Sequence, residues 1–157
     1  MSLACAHQGS AKPSKAAIRA AMAAARARCL AGGQRWTEQR QRAYELLLEA
    51  GGPIKAYDIL AQFKVGAHTA PPTVYRALDT LVALGLAHRI ASLNAYTACR
   101  VEAEGHSASF LICDCCGAAE EIATPTGGVL EAIRAQSDFA PSHMTVEAHG
   151  RCHACQG

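Results

Sequence analysis

The clearest pattern of apolar and polar positions in this chain lies between residues 71 and 84. Its apolar residues follow the i, i+3, i+4, i+7, i+8 spacing of a helix with one buried side: Val74, Ala77, Leu78, Leu81 and Val82. Pro71 and Pro72 suit a first helical turn, Thr69 is expected to cap it, and Gly85 ends the pattern. The sequence therefore predicts an amphipathic helix over 71–84.

Shorter patterns of the same kind surround this helix and complete a small domain. Further helices are predicted at 16–30, 38–50 and 55–64. Thr37 is a good N-cap for the second of them, and Gly51-Gly52 would stop it. Two short strands are predicted after the fourth helix, at 86–90 and 95–99. This order predicts a winged helix-turn-helix with one additional helix in front.

The second half of the chain changes to shorter, strand-like segments. Strands are predicted at 108–113, 118–123 and 143–149, with a helix at 129–138 that follows Gly127-Gly128. We therefore expect an α+β protein built from two domains. Its predicted parts are a disordered tail over 1–13, a winged-helix domain over 14–100, a hinge over 101–107 and a small αβ domain over 108–157.

Charge also separates the two halves. Residues 11–46 contain eight Lys or Arg and two acidic residues, a net charge of +6, whereas residues 101–157 contain two Arg and eight acidic residues, a net charge of −6. A basic front domain indicates a surface for nucleic acid. No run approaches the ~20 apolar residues of a membrane span, and the first residues lack the apolar core of a signal peptide. We therefore expect a cytoplasmic protein with no membrane partner.

Two matched C-x-x-C pairs are the strongest chemical signal in the sequence, Cys113 with Cys116 and Cys152 with Cys155. Each turn can place two thiolates on one metal ion, and two turns supply the closed four-thiolate shell of structural zinc. The 35 residues between the pairs have room for an αβ unit whose ends the metal would join. A redox motif or two disulfides are the alternatives, but one redox motif needs no second pair, and nothing marks the chain as secreted.

Four further candidate ligands gather around the predicted hinge: His88, Cys99, His106 and Glu121. One thiolate, two imidazoles and one carboxylate form a plausible tetrahedral zinc set, which is softer than the sites that iron and manganese prefer. Each residue also has an ordinary interpretation, because a histidine on a strand is usually a surface residue and a lone cysteine can be a small core residue. The residues by themselves leave both interpretations open.

Several short motifs carry a family resemblance, and they occur in one shared order. They are TEQR at 37–40, AYD at 56–58, PPTVYRAL at 71–78, FLICDCCG at 110–117 and VEAHGRCHAC at 146–155. With them the chain resembles the Fur family of metal-dependent repressors over about residues 15–155, and in particular its zinc-responding members. One departure is Cys115, which falls inside the first C-x-x-C pair and leaves a shifted or exchanging ligand set open.

The resemblance implies an N-terminal winged helix that binds DNA and a C-terminal αβ domain that forms a homodimer. It implies two zinc ions per chain. The structural ion would be bound by Cys113, Cys116, Cys152 and Cys155. The regulatory ion would be bound at the hinge by His88, Cys99, His106 and Glu121. A zinc-loaded dimer would present two recognition helices to successive major grooves of a palindromic operator and repress zinc uptake genes.

The expected DNA-reading residues lie in the helix over 71–84 and are Tyr75 and Arg76, with Thr73 beside them. Arginine is the commonest reader of guanine, and tyrosine can contact a thymine methyl group or a phosphate. Partial burial beside the wing is the alternative for Tyr75. Basic residues expected on phosphate groups, or else on a merely solvated face, are Lys55, Arg40, Arg35 and Lys15.

Three alternative functions remain open from the sequence. A regulator of the same family could respond to another metal, although a thiolate ligand such as Cys99 favours zinc over iron. A zinc-stabilised module for protein or RNA would retain the four-cysteine site but leave the hinge ligands unexplained. A zinc enzyme needs an open coordination position, whereas the hinge set supplies four ligands, so we expect neither catalysis nor a small-molecule substrate.

Overall fold

The structure is a computed structural model, and it describes residues 12–64, 69–100, 108–123, 127–141 and 144–156. These residues fall into two compact units that divide between Cys99 and Arg100. Most of the predicted tail and the whole predicted hinge over 101–107 lie outside the described residues, so both remain predictions. Among the described residues, no helix is long and apolar enough to cross a bilayer.

Four helices and a three-stranded sheet form the first unit. The helices are α1 (Lys15–Ala31), α2 (Glu38–Ala50), α3 (Ala56–Gln62) and α4 (Pro71–Ala83). The strands are β1 (Ile54–Lys55), β2 (Ala87–Ile90) and β3 (Ala95–Ala98). They pair antiparallel in the order β1-β3-β2. This is the predicted winged helix-turn-helix, with the addition of β1, whose two residues are too few to produce a periodic signal.

The core of the first unit is mainly aliphatic and includes one side of α4. The residues of the predicted stripe that are at most 4% exposed are Val74, Ala77, Leu78 and Leu81. Val82 is only partly buried, at the edge of this core. Full burial of one leucine contributes roughly 1.5–3 kcal/mol, so the stripe determines which side of α4 faces inward. Arg76 remains exposed on another side of the helix, while Tyr75 is half-buried against the core.

A capping interaction marks the start of α2, and two prolines mark the start of α4. The Oγ1 atom of Thr37 accepts a 3.3 Å hydrogen bond from the backbone N–H of Arg40, which confirms the predicted cap of α2. The predicted cap of α4 was wrong, because its N-cap is Ala70 rather than Thr69 and gives no side-chain bond. Prolines occupy the first two positions of α4 and have no N–H group to satisfy, so this helix depends less on a capping side chain.

Gly85 turns the chain from α4 into β2. Its φ of +67° lies in the left-handed region that favours glycine. A Cβ atom at this position would also lie 3.1 Å from Nη2 of Arg28, which is on α1. The additional first helix therefore contacts the turn that leads into the wing.

The second unit is a small αβ domain. Its elements are β4 (Ala108–Cys113), β5 (Ala119–Ala123), α5 (Gly127–Gln136), β6 (Thr145–Gly150) and a short 3-10 helix (His153–Cys155). Strand β4 is central, because it pairs antiparallel with β5 and parallel with β6. A parallel pair needs a long crossover, and the segment with α5 supplies it.

Several boundaries of the second unit differ from the predictions. Helix α5 begins at Gly127, although the two glycines were expected to precede it, and it ends at Gln136. The first turn of a helix makes few of the helix's own hydrogen bonds, so glycine is tolerated there better than in its middle. Strand β6 begins at Thr145 rather than residue 143, which lies outside the described residues.

Candidate metal centres

Four thiols converge at the adjacent ends of β4 and β6. The Sγ atoms of Cys113, Cys116, Cys152 and Cys155 all lie within 4.8 Å of one another. The Sγ atoms of Cys116 and Cys152 are 4.0 Å apart. A tetrahedral zinc ion with Zn–S bonds of ~2.3 Å requires sulfur atoms ~3.8 Å apart, so the four side chains fit one zinc ion. All seven cysteines in the described part of the chain are free thiols.

The backbone of the first C-x-x-C turn is folded around its sulfur atoms. Gly117, with a φ of +73°, donates its N–H to the carbonyl of Cys113 at 2.8 Å. Backbone amides also point at two of the thiols: the N–H of Cys152 donates to Sγ of Cys113 at 3.3 Å, and that of Ala118 donates to Sγ of Cys116 at 3.4 Å. Such donors stabilise thiolates, which are the form that binds a metal.

These hydrogen bonds make the thiols of the cluster unequal. Amide donation, from Cys152 first and then from Cys116, lowers the pKa of Cys113 to about 6. The amide of Ala118 favours the Cys116 thiolate, but burial and the neighbouring thiols of Cys113 and Cys152 raise the pKa of Cys116 overall. The Cys113 thiol therefore ionises more readily than that of Cys116, which must lose a proton when a metal binds.

The second candidate centre is only partly within the described residues. On the wing, His88 pairs with Thr97, and the N–H of Cys99 continues the same ladder by donating to the carbonyl of Leu86 at 2.9 Å. This register places His88 and Cys99 diagonally on one face of the β2–β3 pair. A ring nitrogen of His88 and Sγ of Cys99 lie within 4.8 Å, close enough to share one metal ion.

The other two predicted hinge ligands belong to the second half of the chain. Glu121 lies on β5, and its Oε2 accepts a 3.1 Å hydrogen bond from the backbone N–H of Arg100, the residue that follows Cys99. His106 lies outside the described residues. The full four-residue site therefore remains a prediction.

The predicted DNA-contacting residues are distributed over four elements of the first unit. On α4, Arg76 is exposed, while Tyr75 and Thr73 are partly buried. Lys55 and Lys15 are exposed at the starts of α3 and α1. The exposed side chains leave a basic surface available, and their role in binding DNA stays a prediction.

Arg40 has a structural role in addition to its predicted one. Its guanidinium donates to the carbonyl oxygen of Arg35 and, at 3.3 Å, to Oε1 of Gln34. The buried Cys29 thiol donates to the carbonyls of the same two residues, at 3.6 Å each. Together these side chains hold the turn between α1 and α2, so a phosphate contact by Arg40 would have to share its guanidinium.

Tyr57 is an exposed aromatic residue that the sequence prediction did not include among the site residues. It lies in the first turn of α3, two positions after Lys55, and is 79% exposed. An exposed tyrosine beside lysine suits contact with a nucleic-acid backbone or base. The available sequence signal was its place in the AYD motif at 56–58, two positions after Lys55, in a chain with only 5% aromatic residues.

Comparison with known proteins adds an independent line of evidence. A model of the ferric uptake regulator family matches residues 31–149. The chain is 38% identical over 130 residues to the zinc uptake regulation protein of Escherichia coli (strain K12), and this alignment covers 81% of the chain and 76% of that protein.

Solved structures agree with these matches. A zinc uptake regulator complexed with zinc and DNA superimposes with a TM-score of 0.79 at 34% identity, covering 88% of this chain and 95% of that one. The crystal structure of holo XcZur has a TM-score of 0.74 at 40% identity, covering 89% of this chain and 99% of that one. The similarity therefore extends over both units of the chain.

Proposed function

Because this chain belongs to the ferric uptake regulator (Fur) family, we propose that it is a zinc-responsive repressor that binds operator DNA. The observation that carries this proposal is that a ring nitrogen of His88 and Sγ of Cys99 lie within 4.8 Å of each other on the wing. A thiolate beside an imidazole favours zinc over iron or manganese, so these two donors support zinc as the metal that is sensed. The relatives named zinc uptake regulators support the same assignment.

We further propose two zinc sites with different tasks. The structural ion is bound by Cys113, Cys116, Cys152 and Cys155, a closed set of four thiolates without an open coordination position. The regulatory ion is bound by His88, Cys99, His106 and Glu121. Support for the second set comes from the His88–Cys99 pair and from Glu121, whose carboxylate is anchored by the N–H of Arg100.

The proposed response to zinc is a shift between conformers. Zinc at the regulatory site supplies a bond to each of four side chains, two before the predicted hinge and two within or after it. These side chains can all bind one ion only when the two domains hold one mutual angle, so the loaded protein is restricted to that conformer. Operator DNA that selects the same conformer must in turn tighten zinc binding, because the coupling is reciprocal.

We propose that the second unit forms a homodimer. Several large apolar side chains of this unit are 39% to 69% exposed: Leu111, Val129, Ile133, Phe139 and Val146. The β4–β6 register places Leu111 and Val146 on the same face of the sheet. Exposed apolar patches of this kind mark interaction surfaces, and a second copy would cover them. A symmetric dimer would match a palindromic operator in zinc uptake promoters.

The experiment that tests the proposed function is a zinc titration followed by fluorescence anisotropy of labelled promoter DNA. Protein with one zinc ion per chain is titrated in a metal buffer, with promoters of candidate zinc transporters and the DNA upstream of its own gene as probes. We expect specific binding to appear as the second zinc ion binds. Binding that ignores zinc, or that responds only to iron or manganese, would contradict the proposal and leave the other-metal or interaction-module alternatives.

Arg76→Ala is expected to weaken binding to the operator without changing zinc binding. Loss of a bidentate contact to a base costs about 1–3 kcal/mol, or roughly a 5- to 150-fold loss of affinity. Operator and non-specific DNA are compared by anisotropy at one salt concentration. Arg134→Ala, which removes an exposed arginine from α5, is the matched control. An equal loss of affinity for both DNAs would mean that Arg76 contacts phosphate and does not read a base.

A further inference from the structure

One imidazole, that of His149, lies between two carboxylates beside the four-cysteine centre. Nδ1 of His149 lies 3.1 Å from Oδ1 of Asp114, and Nε2 of the same ring lies 3.8 Å from Oε2 of Glu147. Asp114 belongs to the first C-x-x-C turn, whereas His149 and Glu147 lie on β6, which leads to the second. The contact therefore joins the two chain segments that carry the two thiol pairs.

This side-chain contact lies where the backbone pairing of those segments ends. The register of the parallel β4–β6 pair stops at Cys113 and Gly150. The last backbone hydrogen bond runs from the N–H of Asp114 to the carbonyl of Gly150, at 2.8 Å. Beyond this point the strand pairing ends and each segment enters its own C-x-x-C turn. The His149–Asp114 contact is thus positioned to limit how far the two turns can move apart.

The ring of His149 lies between the two carboxylates and closer to that of Asp114. Nδ1 faces the Asp114 carboxylate, and the less exposed carboxylate of Glu147 lies farther away, opposite Nε2. The side chain of Glu147 is 16% exposed, against 41% for His149 and 62% for Asp114. The close contact of the imidazole is therefore with the other C-x-x-C turn, and the carboxylate on its own strand is the more distant of the two.

We propose that His149 and Asp114 form a positioning pair that keeps the two C-x-x-C turns at the separation required by one zinc ion and slows release of that ion. This inference rests on the structural zinc site proposed above. A sensor whose regulatory zinc must dissociate at low zinc needs its structural zinc to stay bound. The pair supplies such retention without contributing a ligand.

The expected size of the effect follows from where the pair lies. Mutation of a residue that hydrogen-bonds a metal ligand commonly changes metal affinity about 10- to 100-fold. His149 and Asp114 are exposed and act through the backbone, so we expect zinc release to accelerate about three- to tenfold when either is removed, the range of one ordinary hydrogen bond.

Transfer of zinc from the full-length protein to an excess of a chromogenic chelator tests the pair. The starting protein contains one zinc ion per chain, and the variants are His149→Ala, Asp114→Ala and the double variant. We expect each single variant to release zinc three- to tenfold faster and the double variant to be no faster than the faster single one, because one interaction is lost in all three. Asp138→Asn, which changes an exposed carboxylate after α5, is the control.

Two conservative variants separate positioning from a general loss of structure. In His149→Asn the amide nitrogen lies near the position of Nδ1 and can still donate to Asp114, whereas in His149→Gln it lies near Nε2 and points away. We expect Asn to restore slow release and Gln to fail. Three results would each contradict the proposed role of the pair. They are unchanged zinc release in the alanine variants, additive effects in the double variant, and equal release rates for His149→Asn and His149→Gln. A wild-type protein that retains no zinc would instead contradict the structural site itself.

Discussion

The Cys113→Ser variant is expected to lose its structural zinc and, with it, the folded second unit. Among its described residues, that unit buries few apolar side chains, chiefly those of Ala108, Phe110 and Ile112. Domains of this size seldom bury enough apolar surface to fold without a metal, disulfides or a partner. A structural zinc ion contributes on the order of 10–16 kcal/mol of binding free energy in small zinc domains. Losing one of the four thiolates therefore removes more stability than the small core supplies.

Zinc content, sedimentation and thermal unfolding of the purified protein measure this outcome. We expect Cys113→Ser to contain less than one zinc ion per chain, to sediment as a monomer and to lose the unfolding transition of the second unit. Cys115→Ser is the matched control, because Cys115 is exposed in the same turn but lies outside the converging set. If Cys113→Ser retained its zinc and its dimer while Cys115→Ser lost them, the ligand assignment would be wrong.

Cys99→Ser is expected to abolish the zinc response while the fold and the structural zinc remain. A serine hydroxyl is a much weaker zinc ligand than a thiolate, so the proposed regulatory site would retain only its two imidazoles and its carboxylate. Couplings between two ligand sites are typically 1–3 kcal/mol, or about 5- to 150-fold in affinity. We expect Cys99→Ser to lose the whole increase in DNA affinity that zinc produces in the wild type.

The measurement compares operator affinity at low and at saturating free zinc for the wild type, Cys99→Ser and Cys115→Ser. Fluorescence of Trp36, the single tryptophan, checks the fold of the first unit, because its ring lies edge-on to Tyr44, with centroids 6.4 Å apart. Tyr44 is also sensitive to Cys99, since burial first and then the neighbouring Cys99 raise its pKa. A Cys99→Ser protein that still gained DNA affinity with zinc would exclude Cys99 from the sensing site.

Features that depend on local spacing could be predicted from the sequence. The buried stripe of α4, the Thr37 cap and the winged-helix order all follow from contacts within a few residues. The four-cysteine cluster was also predictable, because each C-x-x-C pair is itself local and only two pairs had to meet. The predicted boundaries were wrong or incomplete where the local sequence signal was weak, as in the two-residue strand β1 and the glycines that begin α5.

Features that depend on strand register could not be predicted. His149 and Asp114 are 35 residues apart, and they meet only because β6 lies parallel to β4 in one particular register. A shift by one residue would send His149 to the other face of the sheet.

The exposure of Tyr57 could not be predicted either, because it depends on how helix α3 packs. Its neighbours Ala56 and Ile59 are buried while it is not.

The position of β4 in the middle of its sheet has a consequence for newly made chains. The winged-helix unit is synthesised first and precedes every residue of this sheet. Strand β5 follows β4 within a few residues, whereas β6 comes only after the crossover helix. During translation β4 therefore waits with one edge unpaired, beside a first thiol pair whose partners have not yet been made. We expect this interval to be the period in which a nascent chain is most exposed to oxidants, to competing metals and to pairing with other chains.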